Sequence, residues 1–167
     1  SPEHLRAKVI TFVMTANLLA GPAGYALAGP ALDQLGLSPV LLIVAGEGPE
    51  REAILAEAQR VGIADRLMMP GFLKDPARFV GLFDIFALSS DSEQYPISLV
   101  EAMAAARPVV STKVGDVAAM VSRENRRFIV AREDEDGFAA ALREIGNNTV
   151  LRTELAHANY ACALAEY

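Results

Sequence analysis

Two glutamates eight residues apart, Glu93 and Glu101, are the residues of this chain whose type and spacing point most directly to chemistry. They lie in the run SDSEQYPISLVEAMAAARPVVST, between an apolar segment and a sequence typical of a helix. Carboxylates accept hydrogen bonds from sugar hydroxyls in geometries that neutral side chains reproduce poorly, and each charged hydrogen bond contributes roughly 1.5–3 kcal/mol net. The pair therefore indicates recognition of a hydroxyl-rich ligand.

The segment between the two glutamates predicts the start of a helix. Pro96 suits the first helical position, because its φ is fixed near the helical value and it has no N–H to leave unpaired. The first amides of such a helix point back at the loop and favour an anion, for which phosphate is a suitable candidate. Glu93 precedes these amides and Glu101 lies a little over one turn inside the helix, so both carboxylates can border one cleft. The amides concerned belong to Ile97, Ser98 and Leu99.

The elements that must position these residues alternate between strands and helices, as in a doubly wound α/β domain. Residues 84–88 are nearly all apolar, which is typical of a strand buried on both faces of a parallel sheet. We therefore expect a three-layer, Rossmann-like fold with a mostly parallel sheet of about six strands. Strands are predicted at 9–14, 40–44, 66–69, 84–88, 108–112 and 127–130. Helices are predicted at 50–61 and 76–82, from 96 onward, and at 134–146 and 149–165.

The composition is that of one domain of ordinary size. The chain has 167 residues, of which 52% are hydrophobic, enough for a substantial core. A net charge of −6 argues against a general nucleic-acid surface, although a nucleotide pocket needs only local positive potential. Neither histidine has neighbours at metal-ligand spacing, and the acidic run at 133–136 is typical of a helix start, so no metal site is predicted.

Residues 9–32 contain no charged side chain, and a run of that length has to be tested as a membrane span. Two prolines and three glycines interrupt it. A strand, a loop and a buried helix before Gly36 explain it as well and fit the alternation that follows. We favour this second interpretation. No secretory leader is recognisable, so a cytoplasmic location is expected, with peripheral attachment to the cytoplasmic face of a membrane as the alternative.

The segment around the two glutamates resembles the donor-binding motif of the retaining glycosyltransferases of family 4, which have the GT-B fold. The resemblance covers most of the chain. It rests first on Glu93 through Glu101, followed by Ala102 to Ala104, Pro108 to Val110, and Val114-Gly115. It continues through LLIVAGEGPE at 41–50, MMPGFLKD at 68–75 and DEDGFAAALREI at 134–145.

This resemblance implies roles for individual residues. In the family the first glutamate of the motif contacts hydroxyls of the donor sugar and the second contacts the ribose, which assigns these roles to Glu93, as the catalytic candidate, and Glu101. The intervening backbone touches sugar and diphosphate, and here it belongs to Gln94, Tyr95, Pro96, Ile97 and Ser98. The co-substrate would be a UDP- or GDP-sugar, with no cofactor and no metal.

Two further loops are weaker candidates for the same site. Gly46 and Gly48 follow the second strand, where glycines let the backbone approach a phosphate, although an ordinary strand-to-helix turn is the favoured explanation. In the family a GxGP turn here lies near the donor cleft. Phe72 follows the third strand, in a region that borders the nucleobase in the family, and it could equally be a core residue beneath the loop.

The resemblance also implies a missing partner. A complete GT-B enzyme has two Rossmann-like domains, so residues 1–167 would form the donor domain alone, inactive by itself. The acceptor, a glycan or a lipid, would bind an amino-terminal domain absent from this chain. The resemblance implies no nucleic-acid partner and leaves the oligomeric state open.

The chain departs from the family at the residues that hold the diphosphate. Family members carry an Arg and a Lys five residues apart after the first strand, and these positions are Thr15 and Ala20 here. No lysine or arginine occurs between Lys8 and Arg51, so a small shift of the alignment cannot restore the pair. Two hypotheses follow: the donor domain of an active transferase, or an inactive relative that binds nucleotide sugars or acts as a scaffold. A sugar-nucleotide epimerase of GT-B fold is a third, less favoured alternative.

Overall fold

The computed structural model describes residues 8–13 and 40–167, with side chains from residue 42 onward. Within these ranges six strands alternate with helices. The strands are β1 (Lys8–Val13), β2 (Val40–Ala45), β3 (Leu67–Gly71), β4 (Ile85–Leu88), β5 (Val109–Thr112) and β6 (Ile129–Val130). The helices are α1 (Arg51–Arg60), α2 (Ala77–Val80), α3 (Ile97–Ala104), α4 (Val117–Met120), α5 (Glu135–Asn147) and α6 (Thr149–Glu166).

All six strands form one parallel sheet in the order β3-β2-β1-β4-β5-β6. β1 lies at the centre, where Ile10 is opposite Leu42 of β2 and Ile85 of β4. Because the chain winds outward in one direction from β1 and in the other from β4, the strand order reverses between these two strands. Doubly wound folds bind ligands outside the carboxyl ends of the strands at this point.

The two faces of the sheet carry separate cores, because successive side chains of a strand point to opposite faces. Ile85 and Ala87 of β4 pack with Phe138 and Leu142 of α5 on one face. The alternate residues of β4 pack on the other face with α3 and α6, through Phe86, Leu88, Leu99, Met103 and Ala163. All four residues of β4 are buried, which confirms the predicted three-layer arrangement.

The sequence-based predictions differ from the structure mainly at the ends of elements. Helix α2 is shorter than predicted, and β6 has only two residues because Arg126–Phe128 form a 3-10 turn. The short helix α4 was not predicted. The helix predicted before Gly36 and most of the uncharged run at 9–32 lie outside the described residues. Within the part of the chain that is described, no helix combines the length and the apolarity needed to cross a membrane.

Candidate functional site

The two glutamates lie beside the point where the strand order reverses. The β4–α3 loop, residues 89–96, leaves the carboxyl end of β4 and carries Glu93. Glu101 lies in the second turn of α3, and its side chain is partly buried. The structure therefore places both residues on the element pair that borders the expected ligand crevice.

A chain of hydrogen bonds fixes the conformation of Glu93. The Ser90 hydroxyl donates to Glu93 Oε1 at 2.8 Å. The Ser90 carbonyl in turn accepts a hydrogen bond of 2.6 Å from Thr112 Oγ1, at the end of the neighbouring strand β5. Because Thr112 is buried, this contact is shielded from water and ties the start of the β4–α3 loop to the sheet. Strand β5 thus holds Glu93 in place through Ser90.

The turn after β5 packs against the other side of the same loop. Gly115 has a φ of +47°, and a Cβ there would clash with the Glu93 carbonyl oxygen and lie 2.8 Å from that of Gln94. The Asp116 amide donates to the Gln94 carbonyl at 3.3 Å. Only glycine satisfies both the left-handed backbone and this close approach. The turn therefore fixes the backbone on which Glu93 is mounted.

The start of α3 differs in one detail from the prediction. Pro96 has an extended ψ of 109° and is the residue before the helix, which begins at Ile97. The Leu99 amide donates to the Pro96 carbonyl at 3.1 Å, and the Leu99 side chain is fully buried in the core. The amides left without a preceding helical carbonyl are those of Ile97 and Ser98. Of the three amides in the predicted anion site, two are left unpaired by the helix and the third, that of Leu99, is bonded to Pro96.

Two buried hydroxyls near this helix start have no partner. Among the described residues, Ser89 Oγ and Ser98 Oγ are the buried side-chain polar atoms without a hydrogen bond. Ser89 follows β4 directly, and Ser98 is the second residue of α3. An unsatisfied buried hydroxyl costs about 1–3 kcal/mol, so a ligand that accepts or donates there would recover that free energy.

Glu101 has a perturbed titration. Burial, and secondarily the negative charge of Asp75, raises the pKa of the Glu101 carboxyl above its ordinary value. Asp75 belongs to the loop after β3, and its carboxylate forms an ion pair of 2.7 Å with Arg78 of α2. The raised pKa means that the folded chain holds the charged carboxylate at a free-energy cost, as is common for residues that serve a ligand.

The two weaker candidates lie together, on the loops after β2 and β3. The Gly46 amide donates to the Gly71 carbonyl at 2.9 Å, and Arg51 donates to the Met69 carbonyl at 3.3 Å. Gly48 is exposed in the same turn. The Phe72 side chain is 74% exposed, which excludes the interpretation that it is a core residue beneath its loop.

Sequence reasoning missed the residues that position Glu93. Ser90 and Thr112 were not among the predicted site residues, and Gly115 was assigned no contact. A signal was present for Thr112, because a hydroxyl at the end of a fully buried strand needs a hydrogen-bond acceptor. The acceptor, 22 residues earlier in the chain, becomes identifiable only when β4 and β5 are known to be neighbours.

The family assignment follows from a comparison with known proteins. Residues 10–148 match the sequence profile of the family described as glycosyl transferases group 1. The chain belongs to this family. The profile includes both glutamates, the Gly115 turn and all six strands save the start of β1.

Curated relatives of this member of the group 1 family are longer proteins. The lipopolysaccharide core biosynthesis glycosyltransferase LpsE of Rhizobium meliloti is 28% identical over 131 residues, which cover 78% of this chain and 38% of that protein. The D-inositol 3-phosphate glycosyltransferase of Corynebacterium urealyticum is 30% identical over 168 residues, covering 94% of this chain and 38% of that protein. The chain thus spans little more than a third of the length of these relatives.

Solved structures confirm the fold as the carboxy-terminal domain of the GT-B type. The carboxy-terminal domain of LpcC, a group 1 glycosyl transferase of Francisella tularensis, superimposes with a TM-score of 0.80 at 18% identity, over 96% of this chain and 86% of that one. HepE of Anabaena, in complex with UDP and glucose, gives a TM-score of 0.82 at 22% identity, over 96% of this chain and 44% of HepE.

Proposed function

We propose that this chain is the donor-binding domain of a retaining, family 4 glycosyltransferase and that it binds a UDP- or GDP-hexose at the start of α3. The observation that carries the proposal is the doubly anchored Glu93, held by Ser90 on one side and packed against the Gly115 turn on the other. A carboxylate fixed in this way beside free helix amides is preorganised for a ligand that has both hydroxyls and phosphates.

Each part of the site has a proposed partner on the donor. Glu93 accepts hydrogen bonds from hydroxyls of the sugar, and Glu101 accepts them from the ribose. The amides of Ile97 and Ser98, with the unpartnered Ser98 hydroxyl, contact the diphosphate. The backbone of residues 94–96 lies against the sugar. The loops after β2 and β3 border the nucleotide through Gly46, Gly48 and Phe72.

The proposed reaction transfers the sugar with retention of configuration. The bond between the anomeric carbon and the diphosphate oxygen breaks, and its electron pair leaves with the nucleoside diphosphate. The oxygen of the acceptor hydroxyl forms the new bond from the same face of the sugar, and its proton passes to the departing diphosphate oxygen. Fixed donors at the start of α3 stabilise the charge that develops on the departing diphosphate. The acceptor, a glycan or a lipid, binds a second, amino-terminal domain. The reaction takes place in the cytoplasm or at the cytoplasmic face of a membrane.

A second candidate function is an inactive relative that binds nucleotide sugars without transferring them. Thr15 and Ala20 stand where the family carries the cations that hold the diphosphate, and both lie outside the described residues. Loss of one such donor typically lowers kcat by about 10²–10³. We expect Ala20→Lys to raise the affinity for UDP or GDP more than the affinity for the nucleoside, and calorimetric titration of both ligands measures this. Equal effects on both would remove the cation argument.

Titration calorimetry tests the proposed donor site. UDP, GDP, UDP-glucose and GDP-mannose are titrated into the wild-type chain and into Glu93→Gln, Glu101→Gln and the control Glu154→Gln on the surface of α6. We expect one of the sugar nucleotides to bind with a Kd of about 1 mM or lower. Glu93→Gln should remove the affinity contributed by the sugar, Glu101→Gln should weaken nucleotide and nucleotide sugar alike, and Glu154→Gln should change neither. The proposal fails if no nucleotide binds the wild-type chain.

A transfer assay separates the two candidate functions. In the full-length protein an active enzyme releases nucleoside diphosphate in an acceptor-dependent manner, and Glu93→Gln should lower kcat by about 10²-fold or more. Binding without any release of nucleoside diphosphate, over a panel of glycan and lipid acceptors, would favour the inactive relative.

A further inference from the structure

Tyr167, the residue after α6, lies against the loop that carries Glu93. The rings of Tyr95 and Tyr167 meet edge to face, with centroids 6.0 Å apart and an interplanar angle of 72°. Edge-to-face geometry is the preferred arrangement of aromatic pairs at this distance, so the contact is attractive. Tyr95 is two residues after Glu93 and directly precedes Pro96. Glu93 and Pro96 both belong to the proposed donor site.

Helix α6 brings Tyr167 to this position by running antiparallel to α3. At one end, Asn159 Nδ2 donates to the carbonyl of Arg107, which follows α3, at 3.0 Å, and to Asn125 Oδ1 at 2.8 Å. Ala163 packs in the core shared with α3. Tyr167 is eight positions after Asn159, which corresponds to about 12 Å along a helix. Helix α6 therefore extends from the end of α3 back to its start. The buried Asn159 therefore sets how far Tyr167 reaches.

Tyr167 is fixed at its phenol end as well. Its hydroxyl donates to the Met120 carbonyl at 3.4 Å, and the Cys162 thiol contacts the same carbonyl at 3.6 Å. Burial, and secondarily the neighbouring Tyr95, raises the pKa of the Tyr167 phenol, so it stays protonated and able to donate at neutral pH. A ring that is anchored at one edge in this way can hold its partner ring in place.

We propose that Tyr167 is a positioning residue of the donor site, acting through Tyr95. The contact restrains residues 94–96, and through them the Glu93 carboxylate and the first amides of α3. It supplies a third anchor, because Thr112 and Gly115 hold only the earlier part of the loop. This inference rests on the proposed function for its effect on sugar binding, whereas the restraint of the loop is testable without any ligand.

The ligand-free test measures hydrogen exchange, in the whole chain, at the amides of Leu99 and Asp116, which donate to the carbonyls of Pro96 and Gln94. Tyr167→Ala removes the ring, Tyr167→Phe keeps the ring and removes the hydroxyl, and Tyr160→Ala is the matched control. Tyr160 is a comparably exposed tyrosine on the same helix, about 10 Å away along its axis. We expect Tyr167→Ala to speed exchange at these two amides about three- to tenfold, with Tyr167→Phe near wild type and Tyr160→Ala without effect. Unchanged exchange in Tyr167→Ala would overturn the inference, whether or not the chain binds nucleotides.

The ligand test compares UDP-glucose with UDP, and GDP-mannose with GDP, by calorimetry. If Tyr167 positions Glu93, Tyr167→Ala lowers the ratio of sugar-nucleotide affinity to nucleotide affinity about three- to tenfold, and Tyr167→Phe restores it. A uniform loss of affinity for both ligands, or the same loss in Tyr160→Ala, indicates general destabilisation and contradicts the inference while the donor site stands. Absence of binding in the wild-type chain overturns the proposed function instead.

Discussion

Two loops at the carboxyl edge of the sheet, the β4–α3 loop and the turn between β2 and α1, have similar places in the fold and different structural support. Both leave a buried strand and place a proline shortly before a helix, Pro96 in one and Pro49 in the other. The β4–α3 loop is held by the buried hydroxyl of Thr112 and by the close packing of the Gly115 turn against its backbone. The β2–α1 turn is largely exposed and is joined to the loop after β3 mainly by backbone contacts.

This difference indicates that the β4–α3 loop is the more rigid of the two. A binding group has to be held to within about 0.5 Å of its productive position, which exposed loops do poorly. The β4–α3 loop has such supports around Glu93, whereas the β2–α1 turn has fewer. We infer that sugar recognition depends on the first loop and that the second contributes less.

The largest expected effect is that of Gly115→Ala. A methyl group there would strike backbone carbonyl oxygens of the β4–α3 loop, which cannot move aside as a flexible side chain can. We expect a loss of about 2–4 kcal/mol in the free energy of unfolding and a loss of about tenfold or more in sugar-nucleotide affinity. Denaturant titration and calorimetry measure the two.

Gly71→Ala and Gly62→Ala are the matched controls for this variant. Gly71 and Gly62 also have positive φ, of +79° and +76°. A Cβ at Gly71 meets only the flexible Glu47 carboxylate at 3.3 Å, and one at Gly62 meets nothing within 4 Å. Each should cost about 1 kcal/mol through backbone strain, without a change in the contribution of the sugar to binding. Similar losses in all three variants would mean that the contact with Glu93 is unimportant.

Thr112→Val should have the next largest effect. The substitution keeps the shape of the side chain and removes the 2.6 Å hydrogen bond to Ser90, at a buried position. We expect a loss of about 1–2 kcal/mol in the free energy of unfolding, together with weaker sugar-nucleotide binding. Arg51→Gln breaks the comparable bond to Met69 in the exposed region and should cost no more than about 0.5 kcal/mol. Equal costs would contradict the difference in support between the two loops.

Ala106→Gly should be stabilising by a smaller amount. Ala106 follows α3 with a φ of 56°, and its amide and that of Arg107 bond back to Met103 and Ala102, each at 2.9 Å. This is a Schellman motif with alanine at the position that favours glycine. The substitution should raise the free energy of unfolding by about 1 kcal/mol in denaturant titrations and leave nucleotide binding unchanged. A destabilised variant would show that the backbone there is unstrained.

The smallest expected effect is on stability in Glu101→Gln, and it depends on pH. Because burial and Asp75 raise the pKa of Glu101, the folded chain takes up a proton there at a higher pH than the unfolded chain does. The charged carboxylate therefore lowers stability above its folded pKa, and this penalty disappears as the pH falls below the ordinary glutamate pKa. Glu101→Gln should have a higher Tm than wild type at pH 7, with the difference vanishing near pH 4. A constant difference across this range would contradict the pKa shift.

Much of the fold could be predicted from the sequence, since apolar runs and helix signals are local. The doubly wound, parallel sheet of six strands and the burial of β4 follow from the alternation of elements and from the composition of residues 84–88. The glutamate spacing and Pro96 likewise located the helix start to within one residue. These features depend on neighbours a few positions away in the chain.

The supports of the site could not be predicted, because they join distant parts of the chain. Thr112 acts on Ser90 across 22 residues, and Tyr167 acts on Tyr95 from the far end of α6. Such contacts depend on which strands are neighbours and on how far a helix extends, and neither appears in a local pattern. The raised pKa of Glu101 also depends on the tertiary structure, because it comes mainly from burial and secondarily from Asp75, which belongs to a different loop.

The most direct test of the account is a map of backbone amide chemical shifts during titration with UDP-glucose and with UDP. If the nucleotide-sugar site lies at the start of α3, both ligands shift the amides of Ile97 and Ser98 most strongly, and only UDP-glucose shifts residues 93–95 further. GDP and GDP-mannose are compared in the same way. Shifts confined to Gly46 and Gly48, or identical shifts with nucleotide and nucleotide sugar at residues 93–95, would contradict the assignment of the sugar to Glu93.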